Sequence, residues 1–372
     1  MPFYDFFCFL NKKQKYLVKK NHHTLHFFCY FDNIKILKNN ENYSDGYKYK
    51  RHITNSLAKS FNINYDLISN IYFQNSIKFT IDHDFPKFKY QDRRQRPTST
   101  LHVGQIKLFA TTLQFLTNYI PKNKETHILY PGSANGQNIY LLSKLFPNCF
   151  WYLIDPNPFY EKLYNNEKIL HIENKYFTDQ DAKDFKNKLK NKFTIFISDI
   201  RITSAINDET FDKDKREKQA YDDQSLQYKW CKIFNADISF LKFKIPRFKN
   251  KYKYFDGKLF IQPFPPSTTN ESRLVVKKNP VDKIYDLNDY EDKFYYHNRI
   301  LRVCNYSKLH NYKYKYFCNC YDCTLFFLIL ESYINKFNPD LSIYILIKKT
   351  FKYLENYHKF KENYDHIIKN IV

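Results

Sequence analysis

Glycine is nearly absent, with five residues in 372. Alanine is scarce too, while Lys, Asn, Ile, Tyr and Phe swell the chain, a drift expected of an A/T-rich coding genome. Acidic residues are outnumbered: 38 Asp and Glu stand against 60 Lys and Arg, leaving a formal net charge of +22. That balance favours a polyanionic partner such as nucleic acid, although the coding drift toward lysine supplies part of it. No run of about 20 apolar residues occurs, which argues against a membrane span. The segment Met1 to Leu10 is apolar but lacks a basic stretch and carries Asp5, so no signal peptide is expected and the chain is expected to stay inside the cell. Eight cysteines without regular pairing fit free thiols in a reducing compartment. At this length a full hydrophobic core is within reach, and one main domain is expected.

A chain so poor in glycine uses it where a side chain would obstruct. Two of the five, Gly132 and Gly136, fall in His127-Ile-Leu-Tyr-Pro-Gly-Ser-Ala-Asn-Gly-Gln137, directly after an apolar run. The run predicts a buried strand and Gln137 to Phe146 has helical spacing, so the glycines form a strand-to-helix turn that lets a ligand touch the backbone. A second apolar run, Phe150 to Ile154, ends in Asp155. An acid closing the second strand of an α/β unit is well placed to grip ribose hydroxyls, which suggests an adenosine-containing cofactor.

Residues 1–85 read as a folded aromatic and basic extension without an assignable role, and Gln91 to Pro97 as a surface linker. Leu101 to Ile120 has the periodicity of an amphipathic helix. Strands and helices then alternate: a strand to Tyr130, a helix to Phe146, a strand to Asp155, a strand at Ile169 to Ile172, a helix from Thr178 to Lys190, and a strand from Phe193 to Asp199. This is the grammar of a doubly wound α/β sheet. Asn207 to Gln219 reads as a charged mobile loop, Gln224 to Phe234 as a helix, Ile238 to Lys244 as a strand, and Lys258 to Gln262 and Arg273 to Val276 as a late strand pair. From Lys293 onward the pattern is mostly helical. The expected organisation is an extension over 1–85, a domain over 86–337 and a helical segment over 338–372.

Four ionisable residues sit at strand ends or beside buried runs: Lys107, Asp199, Lys242 and Glu271. Taken singly, each reads as a satisfied surface charge or a salt-bridge member. In this order along a cofactor-binding α/β fold they form a Lys-Asp-Lys-Glu set, the arrangement of enzymes that methylate ribose 2′-hydroxyls. From Phe85 to Phe337 the chain resembles the poxvirus-type cap-specific mRNA (nucleoside-2′-O)-methyltransferases, whose members double as the small processivity subunit of poly(A) polymerase. The resemblance rests on Gly104-Gln-Ile-Lys-Leu108, Tyr130-Pro-Gly-Ser-Ala-Asn-Gly136, Leu153-Ile-Asp155, Ile197-Ser-Asp-Ile-Arg201, Leu241-Lys-Phe-Lys244, Gly257 to Phe264, Glu271-Ser-Arg-Leu274 and Tyr290 to Asn298.

The resemblance implies a Rossmann-like S-adenosylmethionine-dependent methyltransferase fold, with a central, mostly parallel sheet flanked by helices. It implies that Gln105, Tyr130, Gly132, Ser133, Gly136 and Asp155 hold S-adenosylmethionine, and that Lys107, Asp199, Lys242 and Glu271 are catalytic, Lys242 facing the hydroxyl. The family turn usually has proline where this chain has Asn135, and Asn tolerates the backbone angles the turn needs. Capped mRNA is the implied substrate, a poly(A) polymerase catalytic subunit the implied partner, and the host cytoplasm, its viral factories and the virion the implied locations. Cap recognition would stack 7-methylguanine between aromatic rings, with Glu291 taking its N–H groups. Phe88 or Tyr90 is expected to supply one ring. The family has an aromatic after the proline that follows the base lysine, where this chain reads Pro246-Arg247-Phe248, so Phe248 serves if the loop shifts by one. Arg201 is either an RNA contact or a plain surface arginine.

Cys318, Cys320 and Cys323, with Cys304 and His310 upstream, carry enough ligands for zinc, but the spacing is not that of a standard knuckle and buried thiols are expected instead. Lys190 to Lys192 and Lys249 to Lys253 are basic runs that either track phosphates or line solvated loops, and His22-His23 reads as surface. Two other readings stay open: a non-enzymatic RNA-binding regulatory subunit of poly(A) polymerase, and a ribose methyltransferase for uncapped RNA.

Overall fold

The computed structural model describes residues 77–90, 104–201, 213–265, 269–298, 302 and 321–354. The cysteines considered above (Cys304, Cys318 and Cys320), His310, His22-His23 and the linker over 91–97 lie outside them, as does the side chain of Cys323. The elements are β1 (Thr80–Ile81), α1 (Gly104–Tyr119), β2 (Thr126–Pro131), α2 (Gln137–Leu145), β3 (Cys149–Ile154), β4 (Ile169–Glu173), α3 (Asp179–Lys188), β5 (Phe193–Ser198), α4 (Lys213–Phe234), β6 (Ile238–Phe243), β7 (Lys251–Phe255), β8 (Lys258–Phe260), β9 (Ser272–Lys277), β10 (Asp282–Asp286), α5 (Leu287–Tyr296), α6 (Tyr321–Phe337) and α7 (Ile343–Leu354).

Eight strands form one sheet in the order β1-β8-β9-β6-β5-β2-β3-β4, and β7 and β10 pair separately. The run from β6 through β5, β2 and β3 to β4 is parallel, whereas β9, β8 and β1 add antiparallel strands at one edge. The chain moves outward from β2 through β3 to β4, then returns to β5 on the other side of β2. Right-handed crossovers therefore put helices on opposite faces, and the crevice at this reversal lies beyond the carboxyl ends of β2 and β5. Helices α1, α2, α6 and α7 pack on one another, and α3 packs on α4. The fold is thus a mixed α/β one with a large, mostly parallel central sheet flanked by helices.

The central strands β2 and β5 are apolar on both faces because helices cover both. Beneath them Phe115 of α1 stacks on Phe240 of β6, with ring centroids 4.3 Å apart, and Trp151 is fully buried. Helix α3 starts where Thr178 and Asp181 form a reciprocal capping box.

Three expectations change. Helix α4 begins at Lys213, so the stretch to Gln219 read as loop is helical. The alternation in Lys251-Tyr-Lys-Tyr-Phe255 makes β7, with its lysines exposed and its tyrosines buried, rather than a solvated loop. Helix α5 starts at Leu287, before Lys293. Among the described residues flanking the expected boundaries at 85 and 338, β1 pairs with β8 in the main sheet and α7 packs on α1, α2 and α6.

Candidate active site

Each strand that ends at the crevice delivers one functional group. After β2 the chain turns through Gly132 (φ 78°) and Gly136 (φ 79°), both in the left-handed region that favours glycine. A Cβ on Gly132 would lie 2.6 Å from the backbone of Asp199 and Ile200, so this glycine allows the ends of β2 and β5 to touch. The turn forms with Asn135 in it, and the Asn135 carbonyl accepts from Tyr160 N at 2.8 Å. After β3, Asp155 accepts from Ala134 N at 3.1 Å through one oxygen and from Asn157 N at 2.8 Å through the other. The carboxylate that was expected to face the ribose thus also fixes the glycine turn.

A cleft of about 740 Å³ opens here, in the size range of small-molecule sites. Tyr130, Gly132, Ser133 and Asp155 line it, as do Lys107, Asp199, Glu271 and the exposed Arg201. Gly136 shapes the turn from behind, against Leu163. Gln105 sits in the first turn of α1 and does not line the cleft. Ser133 Oγ and Asn138 Nδ2 are buried and find no hydrogen-bond partner among the described residues; both residues line the cleft. Buried polar atoms of this kind ask for a ligand's polar groups. With the carboxylate of Asp155 they fit a nucleoside-bearing cofactor; the two glycines themselves serve the packing of the turn, since a Cβ on either would meet protein rather than the cleft.

The four ionisable residues meet at one end of this cleft. Lys107 Nζ lies 3.1 Å from Glu271 Oε1. Lys242 Nζ lies 3.3 Å from Asp199 Oδ1 and 3.8 Å from Glu271 Oε2. The antiparallel register of β6 and β9 sets Lys242 opposite Arg273, and period-2 alternation brings Glu271 to the same face. Arg273, absent from the sequence-based set, is the fifth member: its Nη2 lies 3.0 Å from Asp199 Oδ2 and 3.9 Å from Glu271 Oε1. Its Nε donates to Gln262 Oε1 at 3.2 Å. The only forewarning in sequence was its place in the Glu271-Ser-Arg-Leu274 motif.

Burial alone would raise the carboxyls of this cluster. For Asp199 the opposing pull of Arg273, then Lys242, wins and holds it below its ordinary value. Glu271 is held well below its own, because Lys107, Lys242 and Arg273 together outweigh burial. Both carboxylates are therefore fixed anions. The backbone of Lys242 is pinned from α4, where Gln227 Oε1 accepts from its N–H at 3.2 Å and Gln227 Nε2 donates to its C=O at 2.8 Å.

On the far side of β6 a second group assembles. Glu291 is buried, and burial raises its carboxyl above the ordinary value against the pull of Arg247. It accepts from Asn270 Nδ2 and from Arg247 Nε. Tyr90 lies on the other side of Arg247, and Phe88 stacks on Tyr295 with centroids 6.5 Å apart. Phe248 does not join them. It is 53% exposed and lies edge-on to Tyr221, because Arg247 holds the position beside Glu291.

No cluster of metal-ligating side chains occurs among the described residues, and no described helix is long and apolar enough to cross a membrane. A family model described as poly(A) polymerase regulatory subunit matches residues 71–356. No curated protein matches the chain. Among solved structures it is similar to bluetongue virus VP4, described as a multifunctional RNA-capping production line, at 14% identity and a TM-score of 0.40. That similarity covers 64% of this chain and 40% of VP4, so the chain spans well under half of that structure's length.

Proposed function

The chain belongs to the poly(A) polymerase regulatory subunit family, and we propose that it is also an enzyme, transferring a methyl group from S-adenosylmethionine to the ribose 2′-hydroxyl of the first transcribed nucleotide of capped mRNA. The observation that carries this reading is the convergence of Lys107, Asp199, Lys242 and Glu271 within ion-pair distance at one end of a cleft suited to a nucleoside-bearing cofactor. A pure scaffold has no need to set two half-buried carboxylates in a cleft and order two lysines against them.

When bound, S-adenosylmethionine would supply a methyl group on a sulfonium, already a strong electrophile. Tyr130, Gly132, Ser133 and Asp155 would hold it. The protein's own task is alignment and proton management. Lys242 Nζ faces the 2′-hydroxyl, either taking its proton as a neutral amine or directing its lone pair as an ammonium. Asp199 and Glu271 fix that nitrogen from two sides, and Lys107 secures Glu271. As the methyl is transferred and S-adenosylhomocysteine is left, the chain's own part is to receive the hydroxyl proton on Lys242, if that amine is neutral, or to let it pass to solvent. Glu291 would take the N–H edge of the cap base. Family membership implies a poly(A) polymerase catalytic partner, and we place both activities in the cytoplasm of an infected cell.

The test is transfer of labelled methyl to short RNAs bearing a 7-methylguanosine cap, an unmethylated cap or a bare triphosphate. Label at the first nucleotide's 2′-oxygen of the methylated cap alone is expected. Glu291→Ala should weaken binding of capped RNA and spare uncapped RNA. No transfer to any RNA by folded, RNA-binding protein would leave the non-enzymatic regulatory subunit standing, and equal transfer to uncapped RNA would favour a structural-RNA methyltransferase.

A further inference from the structure

Beside Glu291 the protein already holds a cation. Arg247 Cζ stands 5.6 Å from the centre of the Tyr90 ring, its Nη2 donates to the Tyr90 hydroxyl at 3.4 Å, and its Nε donates to Glu291 Oε1 at 3.4 Å. A flat, positively charged group lies near an aromatic ring with its N–H on a buried carboxylate. A 7-methylguanine offers the same features: a planar cation with N–H donors along one edge. The two cannot occupy the space between Tyr90 and Glu291 together.

We infer that the Arg247 side chain is a built-in competitor for the cap base, filling the base's place on Tyr90 and Glu291 until a ligand displaces it. This rests on the cap-binding role of Glu291 proposed above. The backbone is anchored for such an exchange. Arg247 N donates to Glu217 Oε2 at 3.1 Å, Lys244 Nζ pairs with the other oxygen of Glu217, and Lys249 N donates to Pro246 O at 2.9 Å. The loop can stay while the side chain, 30% exposed, swings out. The exchange replaces one cation by another, so Glu291 is never left buried without a positive partner, which would be costly.

An internal competitor has a signature that a pocket wall lacks. It lowers the apparent affinity of every ligand of the site by one common factor, the fraction of molecules in which the site is open. The experiment is titration of the full chain with 7-methylguanosine diphosphate and with guanosine diphosphate, in the wild type, Arg247→Ala and Arg247→Gln. Both substitutions should tighten both ligands by the same factor, about tenfold if the arginine is in place nine-tenths of the time, leaving the ratio of the two dissociation constants unchanged. Millimolar guanidinium chloride should compete with the methylated ligand in Arg247→Ala and much less in the wild type. Unchanged or weaker binding in both variants, or a changed ratio, would make Arg247 part of the pocket wall and overturn the inference. Should neither ligand bind wild type or variants, while S-adenosylhomocysteine still binds, the cap role of Glu291 falls and the inference falls with it.

Discussion

Arg273 Nη2 lies 3.0 Å from Asp199 Oδ2, and the arginine is 3% exposed. The pair joins the end of β5 to the start of β9 across β6, and together with Lys242 it holds the half-buried aspartate below its ordinary value. Removing one partner of a fully buried pair costs about 3–5 kcal/mol, and the loss here is smaller because Asp199 is half-buried and keeps Lys242 as a partner. Arg273→Met is therefore expected to lower the denaturant midpoint. A midpoint within experimental error of the wild type would show that Lys242 alone suffices to hold Asp199.

Lys242 stands differently. It reaches the end of the cleft only through Asp199 and Glu271 and does not line it, and Asp199 keeps Arg273 as a partner when Lys242 is gone. Lys242→Ala should therefore leave binding of S-adenosylhomocysteine intact while methyl transfer falls roughly 10²- to 10⁴-fold, the range for losing a positioned proton-handling group. Calorimetric titration alongside single-turnover transfer separates the two, and parallel losses in both would assign the lysine to cofactor binding.

Acid sensitivity follows from the same cluster. Asp199 and Glu271 titrate below their ordinary values in the folded protein. Such groups stabilise the fold at pH above their unfolded values, and the contribution drains away as pH falls from about 4 toward the lower folded values. Glu271→Gln should flatten the acid side of the stability profile, read as denaturant midpoints between about pH 3 and pH 7. An acid side as steep as the wild type's would place the sensitivity elsewhere.

Gly132→Ala should disturb two strands at once. A left-handed alanine costs about 1–2 kcal/mol, and its Cβ would meet Asp199 and Ile200 backbone atoms at 2.6 Å. Reduced thermal stability together with weakened cofactor binding is expected. Stability loss without any effect on binding would separate the turn from the cofactor.

Much of this site could be read from the chain because scarcity made its signals loud. In a protein with five glycines, Gly132 and Gly136 after an apolar run announced the turn, and the strands ending at Asp155 and Asp199 carried plain apolar runs. Arg273 was hidden because its meaning comes from register: only the pairing of β6 with β9 brings it beside Lys242 and Asp199. Arg247 was hidden for a similar reason, since its neighbours Tyr90 and Glu291 are far from it in sequence. The opening turns of α4 lack apolar periodicity, and Glu217, which anchors the segment after β6, lay in a stretch that looked like loop. In β7 the alternation of lysine with tyrosine, exposed against buried, is a more informative signal than the lysines' charge.

Two residues of β1 cover the outer flank of β8, pairing Thr80 with Phe260 and Ile81 with Leu259. A chain shortened to begin at residue 86 would uncover the backbone donors and acceptors of β8, and a bare strand at a sheet margin is a template for another chain. A form trimmed past Thr80 and Ile81 is therefore expected to lose solubility while its cleft is still intact.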